Sequence, residues 1–433
     1  MENIRHKAGK YMLLGALVLS VMLFSPCYVF GLGGGGFRNE AALDAEANGK
    51  ASAFVAQADS PSAVHFNPAG LVQLKGDHVT VGYTYEAPRN SMTDSTGQEN
   101  EMQKQTFSIP NFYYASDLGR ENLRFGFSVT SPYGLGTDWA DDSFSRFQAT
   151  ESDLTFYQIN PTLACKINDA LSIGLGIDHM SSDISKHKRI FDTTGLGDFH
   201  LKGKDSAWGY NVGLLFKPSD KQSVGISYRS EIELTYRGTA SLTNLDSGIY
   251  AAFFPDNYST DVKSKLTLPR TIAVGYAYRP NEKWTVEIDC EWTGWSSVQE
   301  DFVRYPSESN PNRLAVLNDG NPASKDWNDS LAYGVGAEYD ANDRLALRCG
   351  YLFYQTPIPS ATFETALPDS DRHAATLGLG YKINDGLTID ASYFGVLYVD
   401  RDVTNDVASA KTNLDGEYEG YMNIVSVGFT YKY

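Results

Sequence analysis

The chain has 433 residues, with 36 Lys and Arg against 53 Asp and Glu, and a formal charge of -17. That balance argues against nucleic acid as a partner, because phosphate-backbone binding needs a basic surface. The negative mean hydropathy argues against a polytopic helical membrane protein, but not against a membrane barrel, in which only alternate strand residues face lipid.

Residues 1–30 read as a signal peptide. Arg5, Lys7 and Lys10 form a basic start, and the mostly apolar run Tyr11–Phe24 is 14 residues long, short for a spanning helix and suited to a signal core. A lipid anchor on Cys27 and an uncleaved anchor helix are the alternatives. Cys27, Cys165, Cys290 and Cys349 are scattered without metal-knuckle or redox spacing, so no disulfide framework is expected. Gly31–Gly36 reads as a flexible linker. Ala51–Leu74 is rich in Ala, Asp and Ser and breaks at Asn67-Pro68-Ala69-Gly70. Pro68 pushes Asn67 out of the helical region. The stretch is either an ordinary N-terminal cap or a plug within a closed barrel.

From Asp77 onward about fourteen strands are expected, roughly at 77–87, 104–116, 122–132, 152–166, 169–182, 203–217 and 221–237. They continue at 262–280, 282–296, 328–340, 342–356, 371–384, 386–400 and 419–433. Leu171, Ile173, Leu175 and Ile177 alternate with Ser172, Gly174, Gly176 and Asp178, and Val425, Val427, Phe429 and Tyr431 alternate with Ser426, Gly428 and Thr430. Such a period of two marks strands with one apolar face. A soluble sandwich alternates as well. Three features favour a membrane barrel: strands long enough to cross at a tilt, short turns alternating with the longer connections 133–151, 238–261, 297–327 and 401–418, and aromatics near strand ends (Trp284, Trp292, Trp295). An even strand number then closes the sheet and leaves no edge in lipid.

Little in the chain suits catalysis. The seven histidines include no HExxH. His179 and His187 read as solvated loop residues rather than metal ligands. Glu287, Asp289 and Glu291 share one strand face and suggest a carboxylate pair or a calcium site only in outline, since any wet strand face carries such a set. Neither a cofactor nor a metal is expected. A barrel-borne lipid hydrolase would need a Ser–His pair on adjacent strands, which sequence cannot test. Ser131-Pro132-Tyr133-Gly134 ends an alternating strand; Pro132 removes a ladder donor, so the wall bends or opens there, or an ordinary turn follows. Pro357–Arg372 is a proline-punctuated loop, either plain or folded over a pore mouth with Ile358, Phe363 and Leu367 forming a greasy capture site.

Four segments resemble the FadL/OmpP1/TodX family of outer-membrane transporters for long-chain fatty acids and aromatic hydrocarbons. They are Gly49–Leu71, with its Asn-Pro-Ala turn, Val129–Trp139 (VTSPYGLGTDW), Leu268–Trp295 and Pro357–Tyr381. The resemblance implies an all-β, fourteen-stranded antiparallel barrel over 77–433, plugged by a hatch over 31–76 and placed in the outer membrane of a Gram-negative cell. It implies passive transport of hydrophobic small molecules, with capture by extracellular loops and lateral exit beside a strand kink. On this reading Asn67, Pro68 and Ala69 form the hatch turn, and Ser131, Pro132, Tyr133 and Gly134 the lateral-gate kink. Arg348 and Arg372 are candidates, from strand parity and loop position, for holding a carboxylate head group beside Phe363 and Leu367; the alternative pairs them with lumenal acids. Outer-membrane lipid and lipopolysaccharide are expected neighbours, and the protein is expected to be a monomer. Family members usually end in Phe, whereas this chain ends in Tyr433, the aromatic through which the barrel-assembly machinery would read the last strand. A structural or adhesive barrel without transport is the other reading.

Overall fold

A computed structural model describes residues 36–433 apart from 192–195, 246–248, 256 and 405–412. The expected signal segment 1–30 and Cys27 therefore lie outside the described residues.

Fourteen antiparallel strands form the wall. The first seven are β1 (Asp77–Asp94), β2 (Phe107–Ser116), β3 (Leu123–Thr130, resuming at Gly134–Asp138), β4 (Glu151–Lys166), β5 (Leu171–Phe191), β6 (Leu196–Ser219) and β7 (Gln222–Arg229, resuming at Ile232–Thr243). The rest are β8 (Tyr258–Leu268, resuming at Thr271–Asn281), β9 (Trp284–Thr293), β10 (Ser330–Asn342), β11 (Leu345–Tyr354), β12 (Arg372–Asn384), β13 (Leu387–Tyr398) and β14 (Gly416–Lys432). Each pairs with its sequence neighbour, and β14 returns to β1 in register from His78↔Lys432 to Asp94↔Gly416. The sheet thus closes. Closure is the condition for strands to stand in hydrocarbon, where an unpaired edge has no water to satisfy it.

The wall is apolar outside and polar inside. Leu175, Ile177, Leu377 and Phe429 are exposed, whereas their strand neighbours Asp178, Thr376 and Ser426 are buried. Only a solvent of lipid makes that pattern favourable. Leu377, near the middle of β12 and 64 % exposed, gives a direct check. Leu377→Arg is expected to cost ~2–4 kcal/mol of barrel stability in bilayers, read as a lower urea midpoint in lipid vesicles. An unchanged midpoint would place this face outside the hydrocarbon.

The expected fourteen strands are present, with informative differences at their ends. β5 and β6 run for 21 and 24 residues, far beyond the ~9–11 needed to cross. The polar stretch after Ser182 lacks apolar alternation, yet its ladder continues from Asp183↔Lys204 to Phe191↔Leu196, so this hairpin projects above the membrane. Pro269 splits the expected strand 262–280, and Ser230-Glu231 splits β7. Trp284 is exposed at a strand end and packs on Tyr339. Trp295 is corrected: it is fully buried and faces the lumen.

Residues 36–76 occupy the lumen. Short helical turns at Ala45–Asn48 and Ala63–Phe66 and a 3-10 turn at Pro68–Gln73 give them little regular structure. Their polar groups are satisfied by the wall instead. Asn111 of β2 donates to Ala42 O (3.1 Å), Asn48 donates to Ser426 Oγ of β14 (3.0 Å), and Thr376 of β12 donates to Gly49 O (3.1 Å). On the far side of the barrel, seven strands from β2, Asp289 of β9 accepts from Phe54 N (2.8 Å), so the segment spans the centre.

Candidate functional site: a plugged lumen beside a gap in the wall

The Asn67-Pro68-Ala69 turn docks on β5 and β6. Asn67 Oδ1 accepts from Ala69 N (3.2 Å), while its amide donates to Val55 O (2.8 Å) and to Leu214 O of β6 (3.1 Å). A Cβ added at Gly213 would lie 2.1 Å from Asn67 Oδ1, and one at Gly174 2.4 Å from the Pro68 carbonyl carbon. Glycine at these two wall positions is what lets the turn approach.

The three carboxylates of β9 hold the hatch. Asp289 accepts from the backbone N–H of Phe54 (2.8 Å) and Val55 (3.0 Å), and Glu287 from Ala56 (2.5 Å) and Gln57 (3.0 Å). Glu291 binds Arg38 through both oxygens, with 3.0 Å from Arg38 Nη2 to Glu291 Oε2, and Arg38 also binds Glu40 and Thr293. Burial, and next the Glu291 carboxylate, push the Glu40 carboxyl up to about 8 against the pull of Arg38. The pattern that suggested a carboxylate pair or calcium site is a ladder of hatch anchors.

Arg38 stands where the wall is open. The β2–β3 ladder runs from Ser116↔Phe125 to Phe112↔Val129 and stops. After Ser131-Pro132-Tyr133, the resumed part of β3 pairs with β4 alone, from Gly134↔Thr155 to Asp138↔Glu151. The β2–β3 ladder therefore does not extend to Ile109, Pro110 and Asn111 among the described residues. Pro110 and Pro132 both lack the N–H that a ladder needs. The hatch covers this gap from within: Asn39 N donates to Pro132 O (2.8 Å) and Gly134 N to Phe37 O (2.9 Å). The Phe37 ring lies 4.9 Å from Trp295, 6.0 Å from Tyr133 and Trp327, and 6.3 Å from Phe156.

Two cavities lead from the extracellular loops to Phe37. The outer, of about 330 Å³, is lined by residues such as Phe147, Ile190, Phe199, Leu242 and Leu317. The inner, of about 400 Å³, is lined by apolar side chains such as Phe37, Leu135, Leu154, Leu266, Trp327 and Leu367, together with charged ones that include Lys263, Lys265 and Arg304. Lys186–Asp301 (2.7 Å) and Lys325–Glu364 (2.5 Å) belong to both linings, so two ion pairs stand at their junction. Burial would raise Asp301, but Lys186 and Lys325 hold its carboxyl well below the ordinary value. Beside Arg38 a much smaller cavity, of about 50 Å³, is lined by Arg38, Glu40, His65, Arg229, Asp289 and Glu291 together with Val55, Phe66 and Leu352.

The four ligand candidates do not share one place. Leu367 lines the inner cavity. Phe363 packs 4.4 Å from Tyr418 with Arg401 over its ring and borders neither cavity. Arg372 is fully buried, paired with Asp369 (2.6 Å) between the rings of Tyr354 and Tyr398. Arg348 bridges Glu338 and Asp390 (both 2.6 Å) and hatch Glu46 (3.2 Å). The two arginines have the acidic partners that the alternative assigned them. Asp301, Lys325, Trp327 and Phe37 escaped the sequence reading because they sit in connections with no periodicity, and Lys186 because it lies in the part of β5 where apolar alternation has faded. His179 faces outward, 4.5 Å from Trp208, and His187 bonds Asp198 (3.1 Å) and stacks on His200.

Comparison with known proteins agrees with this architecture. Residues 35–433 match the family described as outer membrane protein transport protein (OMPP1/FadL/TodX). The chain is 24 % identical to the long-chain fatty acid transport protein of Escherichia coli O6:H1, over 78 % of this chain and 81 % of that one. It is also 24 % identical to a putative outer membrane protein of Neisseria meningitidis serogroup B, over 89 % and 92 %. Among solved structures, a Pseudomonas aeruginosa FadL homologue superposes with a TM-score of 0.79 at 19 % identity, covering 94 % of this chain and all of that one. The Pseudomonas putida toluene transporter TodX gives 0.70 at 18 %, with the same coverage. The matched family is described as one of outer-membrane transport proteins, and the closed barrel with its apolar outer face fits that location. The chain belongs to the OMPP1/FadL/TodX family of outer-membrane transport proteins.

Proposed function

We propose that the protein carries hydrophobic compounds passively across the outer membrane, from the outer cavity to the inner one and out sideways at Ser131–Gly134. The observation that carries this reading is the cavity of about 400 Å³, its surface mostly apolar, ending on Phe37, directly behind the point where the β2–β3 ladder is interrupted at Ser131–Tyr133. A straight descent is unfavourable, because the next space is lined by Arg38, Glu40, Arg229, Asp289 and Glu291. An apolar solute gains nothing among charges, whereas the bilayer beside the gap solvates it. No nucleotide is needed, since partitioning supplies the driving force.

Long-chain fatty acids are the favoured substrates and aromatic hydrocarbons the second class. Lys186 and Lys325 at the cavity junction are paired with Asp301 and Glu364, and a substrate carboxylate exchanges for one of these acids, with its alkyl tail along the apolar part of the inner cavity. The E. coli and P. putida relatives are named for these two classes. Residues 31–76 act as the hatch, and Tyr433 serves as the terminal aromatic recognised during barrel assembly of a monomer. The test is uptake of labelled oleate and labelled toluene by cells lacking such a transporter, with surface expression checked. Oleate uptake is expected to rise at least tenfold. Inserted protein that moves neither compound would leave a structural barrel.

A further inference from the structure

The outer wall carries a charged feature that extends beyond the transport path. Lys204 of β6 stands directly opposite Arg237 of β7, Arg237 opposite Lys263 of β8, and Lys263 opposite Arg304 of the short strand Val303–Arg304. Four cations therefore form one row across four neighbouring strands. All four are exposed. Lys204 and Arg237 face away from the lumen: Leu201 and Tyr236, on the opposite face of the same strands, are buried, and Lys204 shares its face with exposed Trp208 and Tyr210; Lys263 and Arg304, at the other end of the row, are exposed and also border the inner cavity.

Like charges directly opposite each other on adjacent strands repel. Lys265 nearby is relieved by Glu233 at 2.8 Å, and Asp183 stands opposite Lys204 at one end of the row. Among the described residues, no carboxylate lies within ion-pair distance of Lys204, Arg237, Lys263 or Arg304. In a chain of charge -17, a row of four unneutralised cations calls for an external anion.

Its height identifies the anion. Exposed Phe216, Leu214, Tyr210 and Trp208 mark the lipid-facing band along β6. Lys204 lies four residues beyond Trp208, ~13 Å along the strand and ~10 Å higher at a tilt of ~40°. That is the headgroup layer above the apolar band. The geometry points to a docking site for phosphorylated outer-leaflet glycolipid, with the phosphates of a lipid A headgroup spanning β6–β8 and its acyl chains lying on the band below. Arg237 and Arg304 offer planar forks to phosphate oxygens, and the lysines add point charge.

The purified protein in detergent, titrated with bisphosphorylated lipid A and with its dephosphorylated form, tests this by native mass spectrometry. The bisphosphorylated form is expected to bind at least tenfold more tightly. A Lys204→Gln/Arg237→Gln/Lys263→Gln variant is expected to lose that tenfold preference, while Lys75→Gln/Lys221→Gln/Lys283→Gln, changed elsewhere on the surface, keeps it. Heat-modifiable migration confirms folding of both, and Lys204→Arg/Lys263→Arg retains binding. Equal affinity of the parent for the two lipids would overturn the site without any variant. Lys263 and Arg304 also border the inner cavity, so oleate is added as competitor. Displacement of lipid A by equimolar oleate would assign the row to the transported solute and overturn the proposal as well.

Discussion

Oxidising an Arg38→Cys/Tyr133→Cys pair is expected to cut uptake of the transported compound at least tenfold, and reduction to restore it above the parent rate. Arg38 and Tyr133 form an isolated antiparallel bridge, flanked by the bonds from Asn39 N to Pro132 O and from Gly134 N to Phe37 O. Residues opposite each other in such a pair lie ~4.5 Å apart at Cα, within disulfide reach. The crosslink holds Phe37 in its aromatic surround and keeps the gap covered. The reduced variant has lost the guanidinium that joins the segment to Glu291 and Thr293, so the cover leaves more readily than in the parent. Replacing Cys165, Cys290 and Cys349, which are free, removes competing thiols. Equal uptake by the oxidised and reduced forms would show that this segment is not the gate.

Arg348→Met is expected to destabilise the plugged barrel by ~3–5 kcal/mol, the range for breaking a buried ion pair from one side. Arg348 is 6 % exposed and joins Glu338 of β10, Asp390 of β13 and Glu46 of the hatch. Without it three acids converge on one small space, and the hatch loses a tie to the wall. The loss is read as a lower temperature for heat-modifiable migration and as faster amide exchange around Ala45–Asn48. Arg348→Lys keeps the charge but not the planar fork, and a smaller loss is expected. Adding Glu46→Gln and Asp390→Asn to Arg348→Met should recover part of the stability, because the stranded charges are removed. If Arg348→Met stays within ~0.5 kcal/mol of the parent, as an ordinary surface change would, Arg348 is no hub.

These expectations separate two roles that the sequence had joined. Arg348 and Arg372 were candidates for holding a substrate carboxylate, and both have acidic partners within the fold. Lys186 and Lys325 are paired as well, with Asp301 and Glu364, but unlike the arginines they border both cavities. Similarly, Glu287, Asp289 and Glu291 are one functional set, but their ligands are the N–H groups of Phe54–Gln57 and the Arg38 guanidinium.

Strand number, strand polarity and closure were legible in the chain, because alternation is local: Ile173, Leu175 and Ile177 declare their face within a few residues. The Asn67-Pro68-Ala69 turn was legible too, since Pro68 and the Asn67 cap act on their immediate neighbours. Where the alternation faded the reading stopped short, and only the paired ladder from Asp183↔Lys204 onward shows that β5 and β6 continue. The transport path itself was decided in three dimensions. Phe37 meets Trp295 and Trp327, Lys186 meets Asp301, and the cation row joins Lys204 to Arg304. Such contacts depend on the register of a closed sheet and on where a plug of little regular structure settles within it, and neither leaves a periodic trace in the residues that make them.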